Sequence, residues 1–137
     1  MATIRVRSTV VGVHKYRAKP VWDVLGRAYD DKAEAMKAAE AASRMLGHTV
    51  LPLFFASTRE YRRWCELVML KNAGKIKDLQ RQVRFKSKPK PEIYQADFTY
   101  IENGKFICED SKGFRTPAFL RKRRWMKSDH GIDIRET

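Results

Sequence analysis

Residues 94–113 read Tyr-Gln-Ala-Asp-Phe-Thr-Tyr-Ile-Glu-Asn-Gly-Lys-Phe-Ile-Cys-Glu-Asp-Ser-Lys-Gly, and the Asn103-Gly104 pair in the middle decides the fold. Asn-Gly is the preferred filling of a two-residue hairpin turn, because both positions need positive φ and the turn's twist matches that of the strands. The flanks, Ile93 to Ile101 and Lys105 to Lys112, are rich in β-branched and aromatic residues, so they are expected to pair as antiparallel strands. Residues i and i+2 of a strand share a face. Asp110 and Lys112 therefore project together, and closure of the hairpin brings Asp97 within a strand spacing or two of them. Glu109 should face away from Asp110. Gly113 ends the second strand and permits close approach of a backbone or ligand.

Working outward, Thr116-Pro117 is a helix start, with Thr as N-cap and Pro at the first helical position. That helix should run to about Ser128, with Gly131 after it and Ile132-Asp133-Ile134 as a short closing strand. Upstream, a helix should begin near Ser57: Tyr61, Trp64, Cys65 and Val68 recur at i, i+3, i+4 and i+7, Leu67 widens the stripe, and Gly74 stops it. An earlier helix should run from Asp30 or Asp31 to about Leu46, with Ala35, Met36, Ala39, Ala42 and Met45 at helical spacing and Gly47 as its stop. The first 22 residues or so alternate loosely (Ile4, Val6, Val11, Val13). The succession of elements predicts an α/β or α+β fold, with helices packed on a sheet.

A length of 137 residues suits one domain, and a hydrophobic content of 43% is too high for a disordered chain. The formal net charge of +13 works against compaction and points to a polyanionic partner. No apolar run approaches the ~20 residues needed to span a bilayer, and the N-terminus lacks the pattern of a secretory leader. A cytosolic nucleic-acid binder is therefore expected rather than a membrane protein. Cys65 and Cys108 lie outside any C-x-x-C pair and bear no metal-ligand spacing to His14, His48 or His130. Two reduced thiols and no structural zinc are expected.

Two carboxylates converging beside a lysine suit phosphodiester hydrolysis. Hard carboxylate oxygens hold Mg²⁺ while leaving positions for water and phosphate. The ion lowers the pKa of a bound water and neutralises phosphate charge, and a lysine can position that water or stabilise developing charge. An Asp and a Lys at i and i+2 are also an ordinary solvated strand face. Glu60 is a third candidate acid, bordering the apolar stripe one turn before Trp64. Ser57-Thr58-Arg59-Glu60 equally fits a helix-capping box.

Taken together, the stretches FASTREYRRWCEL, KDLQRQVRF, YQADFTY and CEDSKGFRTPAF resemble the PD-(D/E)XK nuclease superfamily, and within it a family of small phage-encoded endonucleases similar to Holliday-junction resolvases. The resemblance covers about 80 residues from Phe55 onward. It implies a restriction-endonuclease-like core over residues 53–137, a central mixed sheet flanked by helices, preceded by a βα extension of open role over residues 1–52. It implies that Asp97 and Asp110 are the signature acids, Lys112 the signature lysine and Glu60 the acid of the first core helix. Glu60, Asp97 and Asp110 would then be the ligands of Mg²⁺, for which Mn²⁺ should substitute. Glu109 and Gln82 rank second. The signature's proline before the first Asp is replaced here by Ala96.

The window Arg81–Lys127 holds thirteen Lys and Arg against five acids, so eight of the thirteen net charges fall there. Arg84, Lys86, Lys88 and Lys90 form a basic, Pro-interrupted segment, and Arg121, Lys122 and Arg124 lie on the last helix. With Arg115 these are the expected DNA contacts, fixing position rather than reading bases. Four consecutive basic residues cover a whole helix circumference, so at least one must point away from DNA, and Trp125 is expected in the core. No base-reading element is recognisable. Recognition by shape, as of a four-way junction, is therefore expected, and two coordinated cuts call for a homodimer. The alternatives are a non-catalytic or degenerate nucleic-acid-binding module, and a nuclease of nicked or linear DNA or of RNA.

Overall fold

The computed structural model describes residues 18–88, 91–111 and 115–137. The expected strand residues Ile4 to Val13, together with Lys90, Lys112 and Gly113, lie outside the described residues. The chain forms two compact units, Met1–Tyr61 and Arg62–Thr137. Within them the fold is mixed α and β, with three helices and two sheets among the described residues.

In the first unit β1 (Val21–Val24) lies between β2 (Arg27–Tyr29) and β3 (Leu53–Phe55), antiparallel to both. Leu25 and Gly26 turn the β1–β2 hairpin at φ 52° and 92°, and Asp23 Oδ1 accepts the Gly26 N–H at 2.9 Å. The sequence reading missed this hairpin, because leucine is a poor marker for a position needing positive φ. Helix α1 (Lys32–Leu46) has the expected ends. The Asp31 carboxylate caps Ala33 N at 3.0 Å, and Gly47 closes it in the left-handed conformation. Its buried stripe is narrower than expected. Ala35 and Ala39 pack with Val24 and Val50, whereas Met36 and Met45 are exposed.

Helix α2 (Thr58–Asn72) begins in the first unit and continues into the second. The second unit's sheet runs β4 (Ile76–Lys86), β5 (Ile93–Glu102), β6 (Lys105–Asp110) and β7 (Ile134–Glu136) in that spatial order. The first three strands are antiparallel, and β7 joins β6 in parallel. Asn103 and Gly104 make the β5–β6 turn at φ 52° and 76°. Strand β4 has no counterpart among the elements expected from the sequence, which marks only its basic end, Arg84 and Lys86. It is an edge strand full of Lys, Asp, Gln and Arg. Asp78 and Gln82 take positive φ, and its register shifts between Lys77 and Gln80. Charge and bulges of this kind protect an edge and erase the apolar alternation that marks a strand.

Helix α3 (Pro117–His130) starts on the Thr116 cap, whose hydroxyl accepts Phe119 N at 3.0 Å. It ends two residues later than expected. Gly131, in the left-handed conformation, sends its N–H to Lys127 O, and Ile132 N reaches Met126 O, a closure of the αL type. Ile132 thereby belongs to the helix end, and the closing strand begins at Ile134 rather than Ile132. The two helices cover opposite faces of this sheet. Trp64 of α2 stacks on Phe98 at 6.0 Å, and Phe98 pairs with Glu109. On the other face Phe119, Trp125 and Met126 of α3 pack with Cys108 and Ile134. Phe106, on β6, is 47% exposed.

Candidate active site

The β5–β6 ladder runs to the Phe98–Glu109 pair. Continued by one residue, that register puts Asp97 opposite Asp110, about one strand spacing away, ~5 Å. Asp110 is 2% exposed and accepts the Tyr94 phenol O–H at 2.7 Å. Asp97 is partly buried and accepts the Ser111 N–H at 2.8 Å, which ties it to the residue after Asp110. Both acids act on the same neighbours. Burial pushes the Cys108 thiol up to about 12, and the charges of Asp110 and Asp97 push the same way. The Tyr94 phenol is also raised well above its ordinary value, first by burial and then by Asp110, with Asp97 adding to it. Tyr94 escaped the sequence reading. Its only signal there was its place three residues before Asp97.

Glu109 takes no part in this pair. It turns to the opposite face, fully buried. Arg63 of α2 grips it with two hydrogen bonds, of 2.5 and 2.9 Å. Tyr100 O–H and Thr137 O–H also donate to it, and the carboxylate holds the Arg63 guanidinium above its usual range despite partial burial. Glu109 is thus an anchor between α2 and the sheet. Glu60 belongs to the first unit. It is buried, and its N–H donates to Ser57 Oγ at 3.1 Å, as half of the capping box requires. Lys112 falls outside the described residues.

No family model, characterised protein or solved structure matches this chain. Two carboxylates at adjacent positions fit a hard divalent ion such as Mg²⁺, which binds through one or two carboxylates and keeps several waters. Ser111 Oγ is buried beside them with no hydrogen-bond partner among the described residues, a further oxygen that a hydrated ion or phosphate could use. Among the described residues, no three His, Cys, Asp or Glu side chains gather into a metal-binding group. No described helix is long and apolar enough to cross a membrane.

The basic residues divide into paired and unpaired. Glu92 accepts Arg121 at 2.6 Å and Trp125 Nε1 at 2.8 Å, and both bonds hold its carboxyl below the usual range. Glu136 takes Arg115 at 2.7 Å and Arg123 at 2.9 Å. Arg84 donates to Gln95, which in turn donates to Gln82. Lys86, Lys88, Lys122 and Arg124 form no ion pair among the described residues. The loop after β4 is fastened to α3. Asp129 accepts Lys88 N at 2.9 Å, and His130 Nε2 lies 2.7 Å from Lys86 O. The two basic clusters, separate in sequence, therefore lie together on α3 and its neighbouring loop.

Proposed function

We propose that this chain is a divalent-metal-dependent DNA endonuclease of the PD-(D/E)XK type, acting as a homodimer on branched DNA such as a four-way junction. The observation that carries the reading is the side-by-side placement of Asp97 and Asp110 where the β5–β6 ladder ends. Asp110 is oriented there by Tyr94, and Asp97 by the Ser111 amide. An ion pair behind the same strand, its Glu109 fully buried and its Arg63 partly so, fixes its position. Asp97 and Asp110 would hold Mg²⁺, with Mn²⁺ able to replace it. The bound ion supplies a water of lowered pKa and neutralises phosphate charge. Tyr94 keeps the Asp110 carboxylate turned toward its partner. Lys112, two residues further along the chain, would assist the attacking water. Lys86, Lys88, Lys122 and Arg124 would hold the phosphate backbone, and the net charge of +13 supports a polyanionic substrate. The branched substrate and the dimer rest on the absence of a base-reading element and on the resemblance to small phage resolvases.

A non-catalytic nucleic-acid-binding module is the second reading, favoured by the lack of a third metal-binding side chain beside the pair among the described residues. One experiment separates the two. A labelled four-way junction and a matched linear duplex are incubated with the protein, with and without Mg²⁺. Mg²⁺-dependent cutting of the junction in preference to the duplex supports the nuclease. Binding without cutting supports the module, and equal cutting of both removes the branched-DNA preference.

A further inference from the structure

The basic run of α3 divides between two flanks. Arg121 turns to Glu92, whereas Arg123 turns to Glu136 and Lys127 to Asp133 on the β7 side. Arg123, Arg124 and Lys127 line a cleft of about 570 Å³ between α3 and β7, completed by Asp133 and Ile134. We propose that this cleft is a second binding site for nucleic-acid backbone, in addition to the strand at the acid pair. The inference rests on the nucleic-acid part of the reading above and not on catalysis.

The three cations of the lining meet two carboxylates, Asp133 within it and Glu136 against Arg123, so a net positive charge remains to attract anions. Glu136 holds the Arg123 head in place at 2.9 Å. This limits the side-chain freedom that a phosphate would otherwise have to freeze out. The Lys127–Asp133 pair is exposed on both sides, with side-chain accessibilities of 60% and 80%. Such a pair contributes little by itself, so a phosphate can share or replace the aspartate at small cost. Arg124 forms no ion pair among the described residues, and its planar fork matches phosphate oxygens two at a time. At ~30 Å³ per water, the cleft has room for a sugar-phosphate unit.

The test is fluorescence anisotropy of a labelled four-way junction over a range of KCl concentrations. It compares wild type with Arg124→Gln/Lys127→Gln, and with Lys32→Gln/Lys37→Gln on the exposed face of α1, which removes the same charge elsewhere. Arg123 is left in place because its partner Glu136 is half-buried. Thermal melts establish that both doubles are folded. The cleft double should bind at least tenfold more weakly, and its log-log salt slope should be shallower by ~1 to 2, since each lost phosphate contact removes ~0.9. The α1 double should stay within threefold of wild type. Equal weakening by the two doubles, or none by the cleft double, overturns the cleft site while leaving nucleic-acid binding intact. Wild type that binds the junction at no salt concentration overturns the cleft and the nucleic-acid reading together.

Discussion

Replacing Arg63 by alanine removes one half of the ion pair that fastens α2 to the sheet. Glu109, with no solvent exposure, would keep only the Tyr100 and Thr137 hydroxyls as donors. Breaking a buried pair from one side costs ~3–5 kcal/mol, because the remaining charge stays desolvated. The Arg63 side chain is 22% exposed and two hydroxyl donors survive, which places the loss near the lower end, ~3 kcal/mol. In urea unfolding, with a slope of ~1.5–2 kcal/mol/M for a chain of this size, the midpoint should fall by roughly 1.5–2 M at unchanged slope. The double variant Arg63→Met/Glu109→Gln removes both charges and leaves Tyr100 an acceptor. It should lose clearly less than the sum of the two single variants, and it should still cut DNA, since Glu109 lies outside the acid pair. A loss below ~1 kcal/mol for Arg63→Ala, or full additivity in the double, would refute the role given to this pair.

Asp110→Asn should keep the Tyr94 hydrogen bond and near-normal stability, abolish Mg²⁺-dependent cutting to below ~1% of wild type, and leave junction binding equal or tighter in a gel-shift assay. Cutting at an undiminished rate would remove Asp110 from the chemistry. Glu60→Gln can still cap α2 but binds a divalent ion poorly. Its unfolding free energy should stay within ~0.5 kcal/mol and cleavage should stay near the wild-type rate, and a fall of tenfold or more would return Glu60 to the metal site. Cys65 should react with a thiol reagent in the native protein at pH 8, and Cys108, 1% exposed, only after unfolding. Because the fold raises the Cys108 thiol from about 9 to about 12, the stability tied to its neutral form is intact below about pH 9 and is lost as pH climbs toward 12. Urea midpoints at pH 8 and pH 10.5 should show that decline, and a Cys108→Ala background should reduce it.

The elements with local punctuation were legible in the sequence. Asn103-Gly104, Thr116-Pro117, Asp31 and Gly47 each have a fixed conformational preference, and each ends or turns an element as read. The side-by-side placement of Asp97 and Asp110 followed from the hairpin, because strand alternation and the turn together set the register. Strand β4 was not legible, because its polar edge carries no period-two signal. Nor was the β1–β2 hairpin, whose turn rests on a leucine at positive φ. The partners of the site residues were equally hidden. Arg63 meets Glu109 across 46 positions of sequence and Tyr94 meets Asp110 across 16, pairings that only the packing of helix and sheet creates. The basic clusters were visible as charge, but which cations are neutralised by Glu92, Glu136 and Asp133 depends on tertiary contacts.

The most direct measurement is divalent-ion binding itself, by calorimetric titration of Mn²⁺ into wild type, Asp97→Asn and Asp110→Asn at neutral pH and low salt. Wild type should show at least one saturable site, and each variant should lose at least tenfold in affinity, with all three equally folded. Mn²⁺ uptake that is absent from wild type, or unchanged in both variants, would contradict a metal site at the acid pair.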